Sequence, residues 1–219
     1  MNPVLATTAG AVAPDADALV HRADLMLCLA QAFFPPPAEW SVCDWGQPLV
    51  EDLCELGQAL ALDVSSIRAA VADAYRLWVE HARSAEGTAD VWLVEYARLF
   101  LVPPVPVALN TSAYLEGALA GSSTQMIASC YGVAGFEPSG RLHDLPDHVA
   151  MQLEFLGKLY ERAARGDADA LGMAEEFIEE FLSAWIGPLC QACQVAAGRG
   201  PSAQVYYELA MLLKHAVGR

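Results

Sequence analysis

Apolar residues return every three to four positions along most of the chain. Leu19, Ala23, Met26, Ala30 and Phe33 line one face of a helix, and Pro35-Pro36-Pro37 forbids its continuation. Ile67, Val71, Ala74 and Trp78 repeat the spacing behind Ser65-Ser66, a pair suited to capping a helix start. Trp92, Tyr96 and Leu99 form a third stripe, flanked by Leu93, Ala97 and Phe100. A fourth joins Val149, Leu153, Leu156 and Tyr160, with Glu154/Lys158 and Glu161/Arg165 spaced for i, i+4 pairing on the polar face. Ala174, Ile178, Phe181 and Trp185, then Val205, Leu209 and Leu212, complete the set. No stretch alternates with period two, and no Asn-Gly or Asp-Gly turn joins two apolar runs. The pattern predicts an all-α fold.

Two segments break it. Leu101 to Thr111 (LVPPVPVALNT) is too rich in proline for a helix and too apolar for a solvated linker, so it either packs over the core or walls a groove. Gly135 to Leu145 (GFEPSGRLHDL) is a polar, turn-rich connection ending at Pro146, and is a candidate hinge. With no internal repeat, the expected organisation is an N-terminal arm over 1–16 and one helical bundle domain over 17–219.

Composition removes whole classes of function. The 219 residues carry 27 Asp+Glu against 12 Lys+Arg, a net charge of −15, and only Lys158 and Lys214 are lysines. Nucleic-acid binding needs clustered cations to neutralise phosphate, and anionic membrane surfaces attract basic patches, so neither partner is expected. The acidity suits a basic partner and also keeps a 55% hydrophobic chain in solution. The longest uncharged stretches, Leu99–Leu115 and Gly117–Phe136, are broken by prolines, glycines and hydroxyl residues, so stable membrane insertion is not expected. Six cysteines are too dilute for a disulfide scaffold, and residues 1–17 carry no basic segment ahead of an apolar one. The expected setting is the cytoplasm, with reduced thiols.

Chemistry-bearing constellations are few. Cys190 and Cys193 would share a helix face, as a metal or redox pair would or as buried core thiols would. Glycine-rich phosphate loops, G-x-S-x-G and H-E-x-x-H are all absent, and His21, His81, His143, His148 and His215 show no ligand spacing. Gly121-Ser122-Ser123-Thr124 reads as a helix start with serine capping. Asp144-Leu145-Pro146-Asp147-His148 reads as another, with Asp144 capping, Pro146 and His148 in the first turn, and the histidine kept neutral by the helix dipole. The same carboxylate–histidine pair could also grip a guanidinium.

Glu95-Tyr96-Ala97-Arg98-Leu99-Phe100, the proline-rich loop and Thr111-Ser112-Ala113-Tyr114-Leu115-Glu116 together resemble a known pattern. It is the Y-x-R-L-F…P…S-V-Y-L-D/E run of the TorD/DmsD/NarJ family, cytoplasmic chaperones dedicated to molybdenum-containing reductases and dehydrogenases. Asp144 to His148, leading into Met151-Gln152-Leu153-Glu154-Phe155-Leu156, resembles that family's E-P-x-D-H or E-x-P-D-H helix start. The likeness runs from Leu19 to Tyr160, and beyond that the helices fit only in type.

The resemblance implies a compact all-α, TorD-like fold without catalytic residues, metal or cofactor of its own, working as monomer or dimer. Its partner would be the apo catalytic subunit of a DMSO-reductase-family molybdoenzyme, held until the molybdopterin cofactor is inserted. In many members the partner includes that subunit's twin-arginine signal peptide. Carried over, the client-binding residues would be Tyr96, Leu99, Phe100 and Pro103, then Ser112, Tyr114, Leu115, Glu116 and Gly121, then Pro146, Asp147 and His148. Val102, Pro104, Asn110, Thr111 and Asp144 depart from the family pattern.

Glu116 and Asp147 are expected to stand free as acceptors for arginine, because unpaired carboxylates are rarely buried. Tyr96, Leu99, Phe100 and Tyr114 would cover the apolar part of a signal or belong to the core. Two other classes remain open: an all-α ligand-sensing or scaffold domain, and a small metal-dependent enzyme.

Overall fold

The computed structural model describes residues 15–82, 91–138 and 144–218. Asp15 opens the first helix, its carboxylate accepting the Asp17 N–H at 3.2 Å. The helices in order are α1 (Ala16–Phe33), α2 (Val42–Ala59), α3 (Ser65–Ala82), α4 (Val91–Phe100), α5 (Thr111–Leu115), α6 (Ser122–Ala134), α7 (Val149–Ala164), α8 (Ala168–Phe177), α9 (Ser183–Ala197) and α10 (Pro201–Val217). A π-helical turn, Ile178–Leu182, joins α8 to α9. Among the described residues there is no strand beyond a single antiparallel bridge between Asn110 and His148, so the all-α reading holds.

Helix α2 is not among the predicted elements, although Trp45, Leu49, Leu53 and Leu56 follow i, i+4, i+8, i+11; Gly46 and Pro48 fall inside the run. Ser41 and Asp44 secure its start reciprocally, each side chain accepting the other's backbone N–H, and Trp45, Leu49, Leu53 and Leu56 face inward. At α3 the expected Ser65-Ser66 cap gives way to Asp63, whose carboxylate accepts the Ser65 N–H at 2.9 Å. A carboxylate also complements the helix dipole, which a serine hydroxyl does not.

Helix α7 packs along α1 and against α8. Its first five residues, Val149 to Leu153, are all buried, so its first turn is enclosed on every side while a polar face emerges further along. Gly157 lets α1 lie close against it, since a Cβ there would come within 2.8 Å of Leu27 Cγ. On the polar side Lys158 pairs with Glu161 at 3.1 Å, and Arg165 approaches the same carboxylate at 3.9 Å.

The core runs without a break from Leu19 in α1 to Ala216 in α10. At one end Tyr206 of α10 is fully buried and touches five rings, those of Phe33, Trp45, Trp92, Tyr96 and Phe100. At the other, Tyr131, Phe136, Phe155, Phe177 and Phe181 pack on one another. No helix among the described residues is long and apolar enough to cross a membrane. The arm expected over 1–16 lies, but for its last two residues, outside the described residues. So do the middle of the Gly135–Leu145 connection, His143, and the side chains of Trp78 and His81.

Candidate functional site

Two segments distant in sequence, the α4–α5 loop and the entry to α7, are tied into one knot. Leu109 O accepts the Val149 N–H at 2.8 Å and Asp147 O accepts the Thr111 N–H at 3.1 Å, which produces the Asn110–His148 bridge. The side chains follow. Asp147 Oδ2 accepts the Ser112 N–H at 2.8 Å, and Oδ1 accepts from Asn110 Nδ2 at 3.3 Å. Asn110 Nδ2 also lies 3.2 Å from Asp144 Oδ1. Gln152 Nε2 bridges Thr111 Oγ1 at 2.8 Å and Asp147 O at 2.7 Å.

Every central member of the knot is buried, and Asp147 has 0% exposure. This corrects the expectation of a free carboxylate: Asp147 has found its donors inside the protein, in the buried first-turn N–H of a short helix and an asparagine amide. The sequence reading missed Gln152 and treated Asn110 and Thr111 only as departures from a pattern. A buried Gln on an otherwise apolar helix face was the available signal.

Helix α7 begins later than the string Asp144–His148 suggested. Its N-cap is His148, whose Nδ1 accepts the Ala150 N–H at 3.1 Å, while Asp144 caps only its neighbour, Leu145 N–H, at 2.6 Å. Pro146 sits ahead of the helix, its carbonyl accepting from the Tyr131 hydroxyl at 2.9 Å. Burial pushes the His148 imidazole down to about 4, only partly opposed by Asp144 and Asp147. The neutral ring expected from sequence is the form that can accept at Nδ1.

The aromatic stretch belongs to the frame as well. Tyr96, Leu99 and Phe100 are buried in α4; the Tyr96 hydroxyl donates to Phe33 O at 3.0 Å, and the Phe100 ring meets Tyr206 edge-on at 4.7 Å. Burial raises the Tyr96 hydroxyl well above its ordinary range. Tyr114 is half-buried, stacked on Trp185 at 5.6 Å, with its hydroxyl donating to Ala108 O at 2.8 Å.

Glu116 is exposed, yet it is not free. Its carboxylate accepts the Ser122 and Ser123 N–H groups at 2.6 and 2.8 Å, capping α6 from outside the helix, a job expected of the serines. Hydrogen bonds from Ser123, then Ser122, hold its carboxyl below the usual range. Gly121 makes this possible, because a Cβ there would overlap the carboxylate.

What remains open to a partner is the tip of the loop. Leu101 N–H and Val102 N–H both donate to Ala97 O at 2.8 Å, closing α4; Val107 N–H returns to Leu99 O at 3.2 Å, and Val107 and Leu109 are buried. Between these anchors Leu101, Val102, Pro103, Pro104 and Val105 are exposed in succession, with Leu101 and Val102 each more than half exposed. Leu115, after α5, is exposed too. Of the two readings of the proline loop, packing holds for its ends and presentation for its tip.

Cys190 and Cys193 are core thiols, Cys190 Sγ donating to Ala210 O at 3.3 Å. Burial raises both, and Cys193 reaches about 12. No group of three His, Cys, Asp or Glu side chains among the described residues is arranged to hold a metal ion.

Residues 64–191 match the family model described as nitrate reductase delta subunit. That span contains the loop, the knot and α6, and leaves out α1, α2 and α10. A solved structure from Archaeoglobus fulgidus, assigned as a redox enzyme maturation protein, superposes with a TM-score of 0.51. The alignment covers 88% of this chain and 93% of that one at 17% identity, a likeness of fold. No curated protein matches the sequence.

Proposed function

Because the chain belongs to the nitrate reductase delta subunit family, chaperones for the maturation of molybdoenzymes rather than catalysts, we propose that it holds the apo catalytic subunit of one such enzyme in the cytoplasm until its molybdopterin cofactor is inserted. The observation that carries this reading is the exposed run Leu101–Val105, five consecutive uncharged, largely apolar residues held out from anchored ends. A monomeric soluble domain rarely displays such a run without a partner for it. A client that is still open where its cofactor will sit offers apolar surface to match. Pro103 and Leu115 are the members of the expected client-binding set that meet the client through their side chains.

The buried members act differently. Tyr96, Leu99, Phe100, Ser112, Asp147 and His148 fix the angle at which the loop leaves the core; Glu116 and Gly121 fix the start of α6 below α5; Pro146 and Tyr114 brace the two sides through their hydrogen bonds. Rigid presentation lowers the entropy lost on binding. Residues 17–219 serve this role as one domain. Where the client bears a twin-arginine signal, the same chaperone engages that segment and delays export.

The test is differential capture. The tagged chain is offered the client subunit expressed without molybdopterin synthesis, and the same subunit loaded with cofactor. The apo form is expected to co-purify and the loaded form to be released. Equal capture of both, or of neither, overturns the reading.

A further inference from the structure

We draw no further inference here: the strongest candidate, the cavity of about 600 Å³ between the start of α3 and the last turns of α10, is rimmed by charges of both signs that already serve those helix ends, Asp63 holding the Ser65 N–H and Lys214 and His215 lying in the last turn of α10, and nothing in the structure shows what would fill it.

Discussion

Asp147 shows how one side chain serves a binding protein without touching what is bound. Its carboxylate holds the Ser112 N–H and the Asn110 amide in a space closed to water. Asp147→Ala leaves both donors unsatisfied and should cost about 3 kcal/mol in urea unfolding. Ser112→Ala should cost under ~0.5 kcal/mol, because Ser112 contributes its backbone N–H and its buried hydroxyl has no partner among the described residues. A large effect of Ser112→Ala and a small one of Asp147→Ala would invert this account of the knot.

His148 makes a prediction in pH. Its folded value, about 4, lies below the unfolded 6.5. The unfolded chain therefore takes up a proton first as pH falls. The stabilisation is fully present above about 6.5, declines between 6.5 and 4, and is gone below that. The difference amounts to about 3 kcal/mol across the window. His148→Asn retains a capping acceptor and removes the titration, so the parent's stability should fall more steeply than the variant's over this range. Parallel curves would show that the ring is not held neutral.

At the scale of elements, the unusual joint is the one between α5 and α6, where a carboxylate five residues ahead of Gly121 caps a helix. Gly121→Ala fills the space that Glu116 occupies, so it should displace the cap as well as crowd it. Glu116→Ala and Gly121→Ala should each lower Tm by a few degrees, and the double variant should fall well short of the sum. Strict additivity would mean the two residues act independently. This contact was not legible in the sequence, where Ser122 and Ser123 advertised themselves as caps; a six-residue return of the chain has no periodic signature. The stripes read from the sequence, in α1, α3, α4, α7, the run from α8 into α9, and α10, are those with one apolar face. The equally regular stripe of α2 (Trp45, Leu49, Leu53, Leu56) escapes that reading, because Gly46 and Pro48 lie inside it. The partners of Asp147 and Gln152 were hidden for the same reason as the cap: they come from a segment 35 and 41 residues away, and spacing along a helix carries no information about such pairs.

For the molecule as a whole, composition argued against nucleic acid and allowed basic partners, and only motifs pointed to a family; the structure adds a division of labour. A frame of buried aromatic and polar residues holds the proline loop by both ends, and what the frame displays is uncharged and apolar. The expected site residues were therefore found together, but mostly behind the surface they were expected to form. Variants of the frame lose binding by losing shape, so a decisive measurement must change the tip alone. That measurement is the affinity of the full chain for the apo catalytic subunit, parent against Val102→Ser/Val105→Ser. Both positions are exposed, so Tm should hold within about a degree or two. Binding should weaken by about tenfold or more, the loss expected when two apolar side chains leave an interface. Undiminished affinity in a folded Val102→Ser/Val105→Ser variant would contradict a binding role for the tip.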